Sequence, residues 1–287
     1  MTIRAVGPQR LILINPHRTA RLIDEGYSVP CFIGRGKGEV RIVFWFTPGG
    51  LWRKIRPMKR EKEQKDFDKW PERYDAWFET PIGALIKSYE AALLMGLLRP
   101  AAGERILDAG CGTGIFSEDI LCAGAHVAGI ELSLPMLRGA EARLKAHPFH
   151  AVQGDMAWLP FSDNTFDKAV SVTALEFIAD AQGAVMELFR VTRPGGYVVV
   201  ATLNSLGPWA ERRKEAASKG HPLFRKAIFR SPREIMALAP VQGTVKTAIF
   251  FDKHDPLARA REKEREGQAA GLETGAFVAA RWKKPVT

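Results

Sequence analysis

Residues 106–114 read ILDAGCGTG, an apolar run that ends in an acid and passes into a glycine-rich turn. The apolar run predicts a buried strand, and residues 115–121 can open a helix. A strand, a glycine-rich turn and a helix, in this order, form the nucleotide-binding edge of α/β sheets, at the carboxyl end of the strand. The chain from about residue 61 onward is organised around this turn.

Strand and helix patterns alternate on both sides of the turn. This alternation implies crossover connections, and therefore an α/β fold with a doubly wound, mainly parallel sheet that is covered on both faces. The predicted strands are 105–108, 126–131, 149–153, 166–172 and 197–202, and the predicted helices are 81–98, 114–123, 133–146 and 180–192. A turn is predicted at 193–196, and two later strands, 245–251 and 275–282, are expected to pair antiparallel at one edge.

The charge of the chain is concentrated at its N-terminus. The 287 residues carry 42 Lys and Arg against 32 Asp and Glu, a net charge of +10. Residues 1–60 hold 12 of the basic and 3 of the acidic residues, so residues 61–287 are nearly neutral. Because basic patches are what nucleic acids bind, we expect no nucleic-acid partner for this larger part.

Cysteines and hydropathy predict a cytoplasmic protein. The three cysteines form no CxxC pair and are too few for a disulfide framework. No uninterrupted apolar run reaches the roughly 18 residues that a membrane span requires, and residues 11–14 are too short for a secretory segment. The oligomeric state is not indicated.

Residues 1–60 are predicted to be a basic, poorly ordered extension, since prolines and glycines interrupt every helical period. A strand over 40–46 is the one element that the pattern suggests. The glycines at 34–38 lack the spacing of a phosphate-binding loop. Because the pattern becomes regular after Met58, one hypothesis is that translation naturally starts there, which N-terminal mass spectrometry of the native product would test.

Aromatic residues are interleaved with charges over 66–78, without a continuous apolar face. Two interpretations stay open for this segment: a surface helix with a few docked aromatics, or a lid over the ligand site. Pro81 then opens the amphipathic helix 81–98, which ends before Pro100.

Ile115 and Asp108 distinguish between the ligands that the turn could bind, whereas Glu131 suits either of them. A dinucleotide fingerprint requires glycine where Ile115 stands. Asp108 at the strand end would repel a pyrophosphate but suits an ammonium and a sulfonium. Glu131 ends the second strand, where an acid accepts ribose hydroxyls, and Asp155 follows the third, where it can accept from an adenine amino group beside Met156 and Leu132.

Several ordered motifs resemble one family. They are ILDAGCGTG at 106–114, GIELS at 129–133, QGDMAWLPFSDNTFD at 153–167 and LFRVTRPGGYVVVAT at 188–202. They resemble the class I S-adenosylmethionine-dependent methyltransferases, in the small-molecule branch of the ubiquinone and menaquinone biosynthesis enzymes. The resemblance implies a seven-stranded Rossmann-like sheet whose last strand is antiparallel and lies between strands five and six.

The resemblance also implies cofactor contacts and a division of the chain. Asp108 would hold the amino group of S-adenosylmethionine, and Glu131 the ribose. The remaining implied contacts are Gly110, Cys111, Gly112 and Gly114 along the methionine part, Leu132, Asp155 and Met156 at adenine, Tyr74 near the methionine end and Thr173 at the methyl group. The methyltransferase domain would span 61–287, with N-terminal helices or a lid (61–100), a cofactor-binding half (101–204) and substrate-side helices with a C-terminal hairpin (205–287).

The expected function is methyl transfer from S-adenosylmethionine to a small-molecule acceptor. Because the sulfonium already supplies a good leaving group, the protein mainly positions the acceptor, and a general base is required only if the acceptor must lose a proton early. Glu176 and the histidines qualify by residue type alone, so no catalytic residue and no metal site is assigned. Two alternatives stay open: a non-catalytic S-adenosylmethionine-binding protein, and a methyltransferase that acts on a macromolecule.

Overall fold

The structure is a computed structural model that describes residues 20–24, 27–32, 44–45, 53–54, 67–221 and 224–286. The first four of these ranges are short strands, which pair in the order β1-β2-β3-β4 with antiparallel neighbours. Their bounds are β1 (Ala20–Asp24), β2 (Tyr27–Phe32), β3 (Phe44–Trp45) and β4 (Arg53–Lys54). The predicted strand 40–46 is described only at β3, and the proposed start at Met58 and the glycines of 34–38 lie outside the described residues.

The main sheet has seven strands in the order β7-β6-β5-β8-β9-β11-β10. β5 to β9 run parallel to their neighbours, and β11 lies antiparallel between β9 and β10, as predicted. Their bounds are β5 (Arg105–Ala109), β6 (His126–Glu131), β7 (Phe149–Gln153), β8 (Phe166–Val172), β9 (Thr192–Leu203), β10 (Gly243–Ala248) and β11 (Phe277–Lys283). The predicted fold class is therefore confirmed.

Eight helices accompany the main sheet within the described part of the chain. They are α1 (Pro71–Glu79), α2 (Pro81–Leu98), α3 (Ser117–Cys122), α4 (Leu134–Arg143), α5 (Ala181–Val191), α6 (Ala210–Ser218), α7 (Pro232–Met236) and α8 (Leu257–Ala269). Side-chain caps fix several starts, because they satisfy free backbone N–H groups. Thr80, Ser133 and Asp180 accept from the third residue after them, and Ser231 with Glu234 forms a capping box.

Two apolar clusters cover the two faces of the sheet. One joins α2, α3 and α4 to the sheet, and the other contains α5 and α7. α2 is long and apolar enough, by length and composition alone, to cross a membrane. Eight of its residues are buried in the fold, including Leu94 and Leu98 at 0% exposure, so its composition is also that of a core helix.

Three boundaries differ from the prediction where φ is positive. The predicted strand 245–251 is wrong at its end, since β10 ends at Ala248 and Ile249 has φ +70°. α3 begins at Ser117 and not at Gly114, since Gly114 has φ +78° and cannot continue a right-handed helix. The predicted turn 193–196 is wrong as a separate element, because β9 begins at Thr192 and runs through it. Residues 193–196 form a bulge in β9 instead. Phe166 pairs with Thr192 and Lys168 pairs with Tyr197, and Gly195 lies between these two pairs with φ +80°.

Candidate functional site

A cavity of about 930 Å³ opens at the carboxyl ends of β5, β6, β7 and β8. This volume lies near the top of the range of about 300–1,000 Å³ that is usual for small-molecule sites. It is lined by ten of the eleven residues predicted for the site: Tyr74, Asp108, Gly110, Cys111, Gly112, Glu131, Leu132, Asp155, Met156 and Thr173. Gly114 is the exception.

Three glycines shape the turn in different ways. Each has a positive φ, which glycine adopts without a side-chain clash. A Cβ on Gly110 would stand 2.4 Å from the Cβ of Ala174, and one on Gly114 would stand 2.8 Å from Leu144 Cδ1. A Cβ on Gly112 would meet no atom within 4 Å. Gly112 thus leaves room at the cavity wall, whereas Gly114 lets α4 pack against the turn.

Asp108 presents an unsatisfied carboxylate oxygen in the cavity wall. Its Oδ2 accepts a hydrogen bond from Ser117 Oγ at 2.5 Å, and its Oδ1 is buried and has no partner. Burial raises the pKa of Asp108 to about 6, despite the hydrogen bond from Ser117. A buried oxygen without a donor is unfavourable, so this atom suits a cationic hydrogen-bond donor such as an ammonium group.

Glu131 is held by the backbone on both of its oxygens. Oε1 accepts from Ser133 N at 2.8 Å, and Oε2 accepts from Gly112 N at 3.1 Å. Each carboxylate oxygen has a second lone pair, so Glu131 can still accept two hydroxyl protons. Burial raises the pKa of Glu131, which these backbone donors oppose.

The end of β7 supplies the adjoining part of the cavity wall. Asp155 Oδ1 accepts from Ala157 N at 3.0 Å, which fixes the loop after the strand. Met156 is buried, with its Sδ 3.8 Å from Ser171 Oγ, and it offers an apolar surface beside Leu132. This combination of an acid and flat apolar surface suits a heteroaromatic base.

Cys111, Tyr74 and Thr173 complete the predicted set. Cys111 is buried, and burial raises the pKa of its thiol well above the ordinary value, so packing explains it better than nucleophilic chemistry. Burial likewise raises the pKa of Tyr74, although a hydrogen bond with Thr173 opposes the rise. Thr173 follows β8 with φ +47°, a conformation that few non-glycine residues adopt.

A buried charged cluster was not predicted from the sequence. Glu90 of α2, Glu176 after β8 and Arg213 of α6 all line the cavity at 7% exposure or less. Burial raises the pKa of Glu90 to about 8 and that of Glu176 to about 7, although Arg213 opposes both shifts. Glu176 Oε2 accepts from Thr202 Oγ1 at 2.8 Å, and Oε1 is buried without a partner.

The segment 67–79 covers one side of the cavity and is fastened by carboxylates. Asp68 Oδ1 accepts from Ser133 Oγ at 2.7 Å. Asp75 accepts from Thr113 Oγ1 and from Arg143 Nη2, both at 2.6 Å. We call the segment 67–79 the cover. Because α1 has no fully buried residue, these polar contacts are a main link between the cover and the glycine turn.

Aromatic rings and cations also line the cavity. Phe67 and Phe177 pack edge to face at 4.9 Å between ring centroids, and His221 stacks on Phe224 at 4.6 Å. Arg212 lies over the Trp209 ring at 5.2 Å. Within residues 67–221 and 224–286, no group of three or more His, Cys, Asp or Glu could hold a metal ion.

The residues of the cavity fit S-adenosylmethionine. Asp108 has a buried acceptor without a donor, the open face of Gly112 leaves space, and Glu131 and Asp155 lie on successive loops of the same sheet edge. In this order along the sheet edge, these groups match the ammonium group, the methionine part, the ribose and the adenine of S-adenosylmethionine.

Part of this chain matches a known family of domains. Residues 107–200 match the family described as "Methyltransferase domain". A malonyl-[acyl-carrier protein] O-methyltransferase of Erwinia billingiae is 44% identical over 103 residues, which are 36% of this chain and 40% of that protein. A demethylmenaquinone methyltransferase of Renibacterium salmoninarum is 32% identical over 149 residues, 51% and 62% of the two chains. The chain thus matches less than two thirds of the length of either relative.

Comparison with solved structures supports the fold over a longer span. A SAM-dependent methyltransferase of Thermotoga maritima, titled a possible histamine N-methyltransferase, superposes with a TM-score of 0.62 and 23% identity. The match covers 77% of this chain and 99% of that one, so it extends beyond the family match at 107–200. The chain thus contains a methyltransferase domain at residues 107–200 and has, over 77% of its length, the fold of this solved structure.

Proposed function

We propose that this protein transfers a methyl group from S-adenosylmethionine to a small-molecule acceptor by in-line displacement. The observation that carries the proposal is made at Asp108, which lines a cavity large enough for a second molecule and whose buried Oδ1 lacks a donor. When bound, S-adenosylmethionine supplies a methyl group on a sulfonium, which leaves as a neutral thioether.

The ten predicted residues that line the cavity each have a proposed role in holding the two molecules. Asp108 binds the amino group, Glu131 the ribose hydroxyls, and Asp155 with Leu132 and Met156 the adenine. The turn at 110–112 lies along the methionine part, and Tyr74 and Thr173 border the reacting methyl group. These groups align the acceptor and exclude water, which is most of what a displacement with a good leaving group needs.

Glu176 is the proposed proton acceptor for an acceptor whose nucleophilic atom carries a proton. Glu176 lines the cavity, its buried Oε1 has no hydrogen-bond partner, and its Oε2 accepts from Thr202 Oγ1. A carboxyl with its pKa raised to about 7 is close to the operating pH, where a general base is most effective. An acceptor that is already an anion would not need this step.

The segment 67–79 is proposed to act as a lid, since it lines the cavity and contacts the glycine turn through Asp75.

A cytoplasmic location belongs to the proposal as well. It is supported by Cys111 and Cys122, which are free thiols. The Erwinia relative is named a malonyl-[acyl-carrier protein] O-methyltransferase, so an acceptor attached to a carrier protein is also compatible with the proposal.

Isothermal titration tests the first half of the proposal. The wild type is expected to bind S-adenosylmethionine and S-adenosylhomocysteine, and Asp108→Asn to bind both about 10–100-fold more weakly, as the loss of a hydrogen bond to a charged group predicts. Asp119→Asn is the matched control, because Asp119 lies outside the cavity lining and pairs with Lys87 at 2.7 Å. Equal affinity in both variants would contradict the role of Asp108.

Incubation with labelled methyl donor and a metabolite extract tests the second half. We expect label to appear in a small, extractable product. Tight binding of S-adenosylmethionine with no transfer to any extract would favour the non-catalytic binding protein, and label that remains on protein or nucleic acid would favour a macromolecular acceptor.

A further inference from the structure

Charges along the cavity are separated by sign. The acids Asp108, Glu131 and Asp155 follow the strand ends, where the cofactor is proposed to bind. The cations come from other elements, namely Arg73 of α1, Arg212 and Arg213 of α6, and the later residues Lys226 and Lys253. The basic residues of the lining therefore come from elements other than the strand ends that carry these acids.

Glu90 and Glu176 do not cancel this positive charge. Both lie beside Arg213, and burial raises their pKa values to about 8 and about 7, so both are substantially protonated near neutral pH. Arg213 donates to the carbonyl of Ala276 at 3.3 Å and lies over Trp209 at 5.4 Å. The guanidinium of Arg213 is thus held by contacts within the fold.

Arg212 is the cation next to this cluster of Glu90, Glu176 and Arg213. Its Nη1 is buried and has no hydrogen-bond partner. Its positive charge also lowers the pKa of the neighbouring Arg213, after the larger effect of burial. Two guanidinium groups side by side repel each other unless an anion joins them, and a guanidinium offers the planar pair of donors that a carboxylate or a phosphate accepts.

The walls around Arg212 are apolar. Trp209 lies beneath its guanidinium, and the lining continues through Phe224, Phe177 and Ile228. A small inorganic anion would leave these aromatic surfaces uncovered, whereas an amphipathic anion buries them. The site therefore matches a ligand with an anionic group and an apolar body.

We propose that the acceptor is an apolar molecule with an oxyanion, a carboxylate or a phosphate, that binds the Arg212 guanidinium. This inference rests on the proposed function, since it assigns the second molecule in the same cavity. Arg212 binds and orients this acceptor, and the apolar body lies among the aromatic rings beside Thr173.

The experiment is isothermal titration of the full chain with octanoate, octyl phosphate and the neutral octanamide, each with and without saturating S-adenosylhomocysteine. We expect the wild type to bind at least one anion about tenfold or more tightly than octanamide, as a charge-assisted hydrogen bond predicts. The preferred anion identifies the group as carboxylate or phosphate.

Arg212→Gln is expected to lose this preference and to keep its affinity for S-adenosylhomocysteine. Lys214→Gln is the matched control on the same helix, since Lys214 is outside the cavity lining and pairs with Glu211 at 2.8 Å; it should bind as the wild type does. Equal binding of octanamide, no binding of any probe, or an unchanged Arg212→Gln would overturn the proposal. So would weaker S-adenosylhomocysteine binding in Arg212→Gln, which would assign the guanidinium to the cofactor carboxylate. Failure of the wild type to bind S-adenosylhomocysteine at all would instead overturn the proposed function.

Discussion

Replacing Gly110 by alanine tests whether the glycine turn is fixed by its contact with the loop after β8. At φ +80°, a Cβ adds about 1–2 kcal/mol of backbone strain. It also stands 2.4 Å from the Cβ of Ala174, an overlap that no rotamer change can relieve. Overpacking of this kind costs about 1–3 kcal/mol. Gly110→Ala should therefore lower the free energy of unfolding by about 2–5 kcal/mol.

Thermal unfolding and urea titration measure this change. A loss of 1 kcal/mol lowers Tm by about 2–4 °C in domains of this size class, so we expect a decrease of about 5–15 °C. Gly112→Ala is the matched control, since it has φ +56° and open space around its Cβ. It should cost only the backbone strain of about 1–2 kcal/mol, while weakening S-adenosylhomocysteine binding because its Cβ occupies the cavity wall.

The double variant Gly110→Ala/Ala174→Gly separates the overlap from the strain. Removing the Ala174 Cβ should restore about 1–3 kcal/mol relative to the sum of the single variants. Additive single effects, or equal losses in Gly110→Ala and Gly112→Ala, would refute the steric reasoning.

Two further changes test a buried acid and a helix cap. The pKa of Glu90 is raised from 4.5 to about 8, so the folded state holds this proton more tightly than the unfolded chain, and its contribution to stability falls as pH rises through that interval. In urea unfolding, the free energy of unfolding of Glu90→Gln should therefore rise relative to that of the wild type toward pH 8, by up to about 1.4 kcal/mol per pH unit. A difference that does not depend on pH would contradict the raised pKa of Glu90. Ser231→Ala breaks the capping box of α7 and should cost about 1 kcal/mol in the same experiment, whereas Ser218→Ala, at the exposed end of α6, should cost less.

Local signals predicted the sheet well. β6, β7 and β8 have the bounds that the sequence predicts, and the helices predicted from 133 and 180 begin directly after their capping residues, Ser133 and Asp180. Each of these features depends on neighbours within a few residues. The acids of the cofactor side were also predictable, since parallel strands bring their carboxyl ends to one edge.

The acceptor side could not be predicted in the same way. Glu90 looks like an ordinary helix charge until its spacing is compared with Ile86 and Leu94, which puts it on the buried face of α2. Arg212 and Arg213 stand in a charged helix with few apolar residues, and the burial of Arg213 depends on distant residues such as Glu90 and Ala276. Long-range contacts of this kind leave no local pattern.

Ser133 connects three parts of the site. Its backbone N–H donates to Glu131, its hydroxyl accepts from Met136 N at the start of α4, and the same hydroxyl donates to Asp68 in the cover. Opening the cover thus disturbs the residue that holds the proposed ribose-binding acid. Because the ion pair of Asp75 with Arg143 also holds the cover, we expect added salt to weaken it and to shorten the residence time of the proposed cofactor. Under the proposed function, the release of product would then require the hydrogen bond between Ser133 and Asp68 to open.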